Sequence, residues 1–266
     1  MKRPAPAPAL PSTGDSSSMD DTQKPKEVLI AEVHALREAL RRNNAELDQF
    51  AYVASHDLKA PLRGIANLSQ WLEEDLGPRL GDESRRQMEL LRGRVHRMEA
   101  MLDGLLDYSR AGRASHAPEP VDVGVLIHTV MARLPGGDTA RLEVSPGMPT
   151  LLTEHLPLQQ VFMNLLSNAL KHAHGKDLRV RVEARDTQGF HHFSVADNGP
   201  GIAPAYHEKI FAPFQTLVAR DKVEGSGMGL CVVKKLVEGR GGRVWVESSE
   251  GATFHFTWPR NEAGRS

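Results

Sequence analysis

Residues 159–173 read QQVFMNLLSNALKHA, and how this stretch divides into two faces decides the architecture of the C-terminal half. At about 100° per residue, Phe162, Leu165, Leu166, Ala169 and Ala173 fall on one side of a helix, while Asn164, Asn168 and Lys171 line the opposite side. Such an apolar stripe needs cover, and the flanking sequence supplies it. Strands are expected at 178–186 and 190–197, a helix at 226–239, and two last strands at 243–248 and 252–258. A helix near 122–134 and a short strand near 141–145 precede them. Segregated helices and antiparallel strands predict an α/β sandwich, one helical layer on one sheet.

The N-terminal half follows another period. Leu29, Val33, Leu36, Leu40, Asn43, Leu47, Phe50 and Ala54 recur at spacings of four and three, a heptad seam whose polar member, Asn43, would fix register. The helix is expected from about Lys26 into the seventies, with Pro61 as a tolerated kink. Gly and Pro interrupt the pattern at LGPRLGDES (76–84), and Met88, Leu91, Val95, Met98, Leu102 and Leu105 then repeat the seam. Two such helices make an antiparallel hairpin, which buries too little alone, so two copies are expected to pair as a four-helix bundle. The fold class is therefore α plus α/β. Taken by itself, the seam leaves open a plain coiled-coil dimeriser.

The expected boundaries are an unstructured Pro/Ala/Ser/Thr-rich tail at 1–25, the hairpin at 26–112, a linker at 113–120, the sandwich at 121–260 and a tail at 261–266. Lys and Arg number 33 against 34 Asp and Glu, which gives no basic footprint for nucleic acid or an anionic membrane. No apolar run is long enough to span a bilayer, and MKRPAPAPALPSTGDSSS lacks the apolar core of a signal peptide, so a cytoplasmic location is expected. Cys231 is the single cysteine, which leaves neither an internal disulfide nor a thiolate zinc site.

Three segments carry candidate chemistry. Asn164, Asn168 and Lys171 present two amide oxygens and an ammonium on one face, suited to a hard cation and phosphates; a solvated polar face is the plainer alternative. In VADNGPGI (195–202) an apolar strand ends at Asp197 and turns through Gly199 and Gly201, where a carboxylate can accept from an amino group; an ordinary strand-ending turn has the same composition. In GSGMGL (225–230), Gly225, Gly227 and Gly229 open a helix whose Leu230, Val233 and Val237 face a core, so backbone amides can meet phosphates. This loop lacks both the dinucleotide fingerprint and the Gly-Lys-Ser/Thr ending of a P-loop.

Together with the Phe211/Phe214 pair, these motifs resemble, in order, the Bergerat-type ATPase domain shared by histidine kinases, type II topoisomerases and related ATPases. The resemblance covers roughly 120–260. It implies ATP as substrate, Asn164 and Asn168 holding Mg²⁺, Lys171 near phosphate, Asp197 reading adenine, Phe214 and the loop glycines at the nucleotide, and a lid between Phe211 and Gly225. FAYVASHDLKAPLRGI (50–65) resembles the phosphoacceptor segment of sensor histidine kinases, in the variant found in phytochrome-like kinases. That likeness makes His56 the phosphorylated residue and Asp57 its proton acceptor. With Ala54 on the seam, His56 falls off it and is accessible to attack the γ-phosphate.

The expected activity is autophosphorylation of His56 from Mg-ATP and transfer to an aspartate of a response regulator, in a homodimer that takes input through its coiled coil or from a separate sensor protein. A dimeric phosphotransfer scaffold with a degenerate nucleotide domain is the alternative; a protein-serine kinase leaves His56 unexplained. There are departures from the family pattern. His172 stands where an aromatic residue is usual and Ala173 where Ser or Thr is, and Ala60 replaces the Thr or Asn that orients a hydrolytic water in members that dephosphorylate their regulator. His172 and His174 lack further ligands for a metal, and His191 and His192 are expected to be structural or exposed on a strand.

Overall fold

The computed structural model describes residues 25–112, 117–172, 177–216 and 226–260. It falls into two compact units, Met1–Glu46 and Leu47–Ser266. In the first, the described residues belong to the opening turns of α1 (Lys26–Leu76), where Val28, Ile30, Val33, Leu36 and Leu40 are exposed.

In the second unit, α1 continues past Pro61, and a 3-10 turn at Gly77–Arg79 leads into α2 (Asp82–Arg110). Asp82 and Glu83 stand in the first turn of α2, where the helix dipole favours negative charge. The helices are antiparallel, as their pairs show. Arg92 Nη1 meets Glu73 Oε2 at 2.5 Å, Arg63 Nε lies 3.4 Å from Glu99 Oε1, Lys59 pairs with Asp103, and the Arg110 guanidinium lies 5.6 Å from the Tyr52 ring centre. Between them Leu62 and Val95 are buried. The seam differs from expectation. Ala54 is half-buried and its neighbour Ser55 is fully buried, while Leu91 and Met98 stay exposed, because a two-helix hairpin covers each seam residue from one side only.

The remaining elements are β1 (Glu119–Asp122), α3 (Val123–Arg133), β2 (Arg141–Val144), β3 (Thr150–Thr153), α4 (His155–His172), β4 (Arg179–Thr187), β5 (Phe190–Asp197), α5 (Gly229–Glu238), β6 (Val244–Ser248) and β7 (Ala252–Pro259). The main sheet has the order β2-β4-β5-β7-β6. It is mixed rather than antiparallel throughout, because β2 runs parallel to β4. β1 and β3 form a second, two-stranded sheet that the periodicity does not reveal. Each is only four residues long, and Glu119 and Pro120 fall in the expected linker; proline is admissible there because a two-stranded ribbon is all edge.

One face of the main sheet carries the helices. Phe162 of α4 meets Phe193 and Phe256 edge-on, with ring centres 5.7 and 5.4 Å apart, and burial of each such side chain stabilises the domain by about 1.5–3 kcal/mol. Val232, Val233, Leu236 and Val237 of α5 join this core, as do Val123, Ile127 and Val130 of α3. Trp258 donates from Nε1 to Thr153 Oγ1 at 3.0 Å, tying the main sheet to the small one. The opposite face is lined by Arg181, Glu183, Arg185, Ser194 and Glu247 around His192 and His255. These two imidazoles lie 3.1 Å apart, Nε2 to Nδ1, and Trp245 stacks on both at 5.1 Å. Burial holds both below the ordinary histidine range. His191 pairs instead with Asp186 at 2.7 Å.

Candidate functional site

The polar face of α4 opens onto a cavity of about 440 Å³. Its apolar face anchors the helix: Leu158, Val161, Phe162, Leu165, Leu166 and Ala169 are buried, which fixes Asn164, Asn168 and Lys171 on the cavity side. Asn164 Nδ2 donates to Gln160 O at 3.0 Å, so its amide oxygen is left for a ligand. That oxygen lies close beside Gly229, the first residue of α5, where an added Cβ would come within 2.9 Å of it. The α4 and α5 ends of the cavity therefore meet at this amide.

Asp197 ends β5 and enters the same cavity. Its Oδ1 accepts from Gly199 N at 2.9 Å and Ala252 N at 3.4 Å. Burial raises this carboxyl above the ordinary range, opposed by those two amides and by His172. Gly199 thus braces Asp197 through its amide. Gly201 lines the cavity, together with Pro200 and Ile202.

The loop ahead of α5 closes another side. Phe214 N donates to Gly227 O at 3.0 Å, and Phe214 holds a left-handed φ of 61°. Gly227, at φ 67°, leaves no room for a side chain, since its Cβ would stand 2.8 Å from Gln215 O. Phe214, Gly227 and Gly229 all line the cavity, whereas Phe211 is buried in the core against Phe254. Gly225 and the part of the expected lid from 217 onward lie outside the described residues, as do Ala173 and His174.

Sequence reasoning missed a whole wall. Arg97, Met101, Asp103, Gly104 and Asp107 of α2 also line the cavity. Gly104 sits directly against Met228, and Lys235 Nζ donates to Tyr108 O at 2.5 Å and Ser109 O at 3.3 Å, 4.4 Å from the Tyr108 ring centre. A cation on the last carbonyls of a helix complements its dipole. The one signal in sequence was Gly104 itself, an isolated glycine within a heptad helix. Burial, then the neighbouring Asp103, raise Asp107 above the usual carboxylate range. His172 lines the cavity as well, on the Asp197 side.

His56 stands apart from the cavity lining, on α1. Its side chain is 74% exposed, so nothing among the described residues blocks an attack from its ring. Its Nδ1 lies 3.2 Å from Asp57 Oδ1, which assigns the proton to Nδ1 and turns the Nε2 lone pair outward.

Fold and site together define an α/β domain with a polar cavity under its helices, joined to a helical hairpin with an exposed histidine. The comparisons agree. Residues 153–262 match the family described as histidine kinase-, DNA gyrase B-, and HSP90-like ATPase, and residues 46–114 match the His Kinase A (phospho-acceptor) domain. This chain belongs to the sensor histidine kinases. Both domains of an ATP-dependent protein-histidine kinase are present in it.

The chain is 34% identical over 232 residues to the phytochrome-like protein Cph1 of Synechocystis sp., covering 86% of this chain but 31% of that protein. It is 26% identical to the adaptive-response sensory kinase SasA of a Synechococcus sp., covering 94% of this chain and 71% of that one. Among solved structures, full-length ShkA in complex with AMPPNP superposes with a TM-score of 0.56 at 29% identity, over 79% of this chain and 45% of that chain. The chain spans only about a third of the phytochrome-like relative, and no described helix is long and apolar enough to cross a membrane.

Proposed function

We propose that this chain binds Mg-ATP in the α4–Asp197–α5 cavity, transfers the γ-phosphoryl group to Nε2 of His56, and passes it to an aspartate of a response regulator. One observation carries the reading: a single cavity gathers Asn164, Asn168, Lys171, Asp197, Gly227 and Gly229, while the histidine they would serve is exposed and oriented by Asp57. Asn164 and Asn168 fit a magnesium ion that keeps water and phosphate oxygens as its other ligands; among the described residues no cluster of three or more His, Cys, Asp or Glu offers a fuller cage. The ion would neutralise phosphate charge. Asp197 accepts from an adenine amino group, Lys171 meets phosphate, and Phe214 and Gly227 shape the cavity around the nucleotide.

At His56 the Nε2 lone pair forms the new N–P bond as the bond from phosphorus to the β,γ-bridging oxygen breaks and ADP departs. The imidazolium proton on Nδ1 goes to Asp57. Positioning and charge neutralisation supply most of the acceleration. Dimerisation is supported by apolar residues that the single hairpin leaves exposed. Leu58, Ile65 and Leu72 repeat every seventh position on α1, and Leu91 and Met98 do so on α2, which a second copy would cover. ATP as donor fits a cytoplasmic site of action.

The test is incubation with Mg²⁺ and γ-labelled ATP beside His56→Gln and Asn168→Ala variants. Acid-labile, base-stable label on the wild type and on neither variant is the expected outcome. No label on the wild type would refute the kinase reading, and absence of nucleotide binding as well would favour the scaffold.

A further inference from the structure

We propose that Asp107 of α2, placed at the phosphate end of the cavity, sets the domain against Mg-ATP while it is seated, so that ATP and the α2 seat oppose one another. This rests on the nucleotide reading above and adds a residue that tunes affinity by nucleotide charge. The first step is to find which end of the cavity α2 closes. The Asn164 amide oxygen, assigned above to the ion on the phosphates, lies beside Gly229. Met228, the residue before it, packs on Gly104 of α2, where an added Cβ would stand 2.6 Å from Met228 Cβ and 3.0 Å from Ser226 Oγ. Gly104 is therefore level with Asn164 and the glycine loop, the end assigned to phosphate.

Asp103 and Asp107 flank Gly104, lie about 40° apart around the helix, and both line the cavity. Asp103 is paired with Lys59, which offsets its charge. Asp107 faces the cavity with its charged form already disfavoured by burial and by Asp103, against partial relief from Arg110 and Lys59. A polyphosphate brought into the same space adds like charge at close range. The cations do not cancel this. Lys171 belongs to the nucleotide domain and stays with the nucleotide whether or not α2 is present, and Arg97 stands two turns before Gly104, about 10 Å along the axis. Withdrawal of α2 thus removes the repulsion and keeps the attraction.

Coupling of this kind is reciprocal: a wall that weakens ATP binding is itself loosened by ATP to the same degree. Mg-ATP carries more negative charge than Mg-ADP, so ATP unseats the domain more strongly than ADP does. The direction suits the reaction. His56 stands apart from the cavity lining, so the γ-phosphoryl group has to leave the α2 wall to reach it, and the ADP left after transfer allows the domain to settle again.

The experiment titrates full-length wild type, Asp107→Asn and Gly104→Ala with Mg-AMPPNP and with Mg-ADP by calorimetry. Asp107→Asn should tighten AMPPNP by roughly 5-fold, the lower edge of ordinary coupling between sites, and tighten ADP less. Gly104→Ala disturbs the seat without touching a carboxylate and should tighten AMPPNP too. Unchanged AMPPNP affinity in Asp107→Asn overturns the proposal, and so does weaker binding, which would mark the carboxylate as a ligand of the ion. Tightening in Asp107→Asn but not in Gly104→Ala overturns the link to the seat. Cys231 gives a reading on the wild type alone, should either variant fail to fold: it is buried and is not part of the cavity lining. Saturating Mg-AMPPNP should speed its labelling by a thiol reagent, and more so than Mg-ADP; labelling unchanged or slowed by AMPPNP overturns the proposal. If none of the three proteins binds either nucleotide, the nucleotide reading itself fails, which is distinguishable from binding of unaltered strength.

Discussion

Gly104→Ala separates two effects that normally travel together. In the interior of α2, alanine is favoured over glycine by about 1 kcal/mol through helix propensity alone. The new Cβ, however, would stand 2.6 Å from Met228 Cβ and 2.7 Å from Met228 Cγ. The nearer of these is fixed to the backbone, so relief requires the loop to retreat from α2. Overpacking of this kind costs about 1–3 kcal/mol. The propensity gain is common to the seated and released nucleotide domain and cancels between them, whereas the clash acts on the seated state alone. The seating equilibrium should therefore shift towards release by roughly 5- to 150-fold.

Cys231 reports this directly. It is the only cysteine, it is 3% exposed, and with Met228 it is buried outside the main core of the domain, its Sγ 3.9 Å from Met228 Sδ. Release of α2 should uncover it, and its labelling rate with a thiol reagent should rise by a factor within that range. Gly93→Ala is the control, because a Cβ there meets nothing within 4 Å. It should raise helix stability without changing the labelling. Labelling of Gly104→Ala at the wild-type rate would refute the reasoning, and so would equal acceleration in both variants.

Asp197 should give nucleotide affinity a pH dependence. Its folded-state pKa is raised by burial, so folding favours its protonated form: stability falls as pH rises from the ordinary carboxylate range through the raised value, and is level above it. For the ligand the sign is opposite, since accepting from an adenine amino group requires the carboxylate. Affinity measured calorimetrically should begin to fall at a higher pH than an ordinary aspartate would dictate, and Asp197→Asn should bind weakly with that dependence gone; an unchanged pH profile in the variant would contradict the assignment. Glu154→Ala should cost about 3 kcal/mol in chemical denaturation, the low end for breaking a buried pair, because Leu236 O at 3.3 Å and the Trp258 ring at 5.1 Å still hold the Arg240 guanidinium. The paired change Glu154→Leu with Arg240→Met should be close to neutral, and a loss as large as the single change would show that the pair itself stabilises the fold. Wild type should remove phosphate from its regulator slowly, and Ala60→Thr should hasten it; rapid His56-dependent loss with wild type would sink that reading.

The sequence disclosed those features that are local or periodic. The α4 face split, the Asp197 turn and the loop glycines were legible because each is a contiguous segment whose period or composition encodes its conformation. β1 and β3 were not, since four residues carry less than one recognisable repeat and Pro120 speaks for a linker. The part Gly199 plays was not legible, because composition cannot show that its amide braces a carboxylate; the 2.9 Å bond to Asp197 does. The α2 wall was invisible for a deeper reason. Its residues follow the heptad rule of the hairpin, and their second role depends on a contact made more than a hundred residues later in the chain.

That second role is plausible as a point of control because of its magnitude. The core under the sheet holds many fully buried large side chains, each adding about 1.5–3 kcal/mol, so the nucleotide domain has no low-energy way to rearrange internally. The seat on α2 rests on Met228 against Gly104 and on the Lys235 cap of Tyr108 and Ser109, a far smaller set of contacts. Release of the nucleotide domain from α2 therefore costs less than any rearrangement inside it, and leaves the domain that binds nucleotide intact.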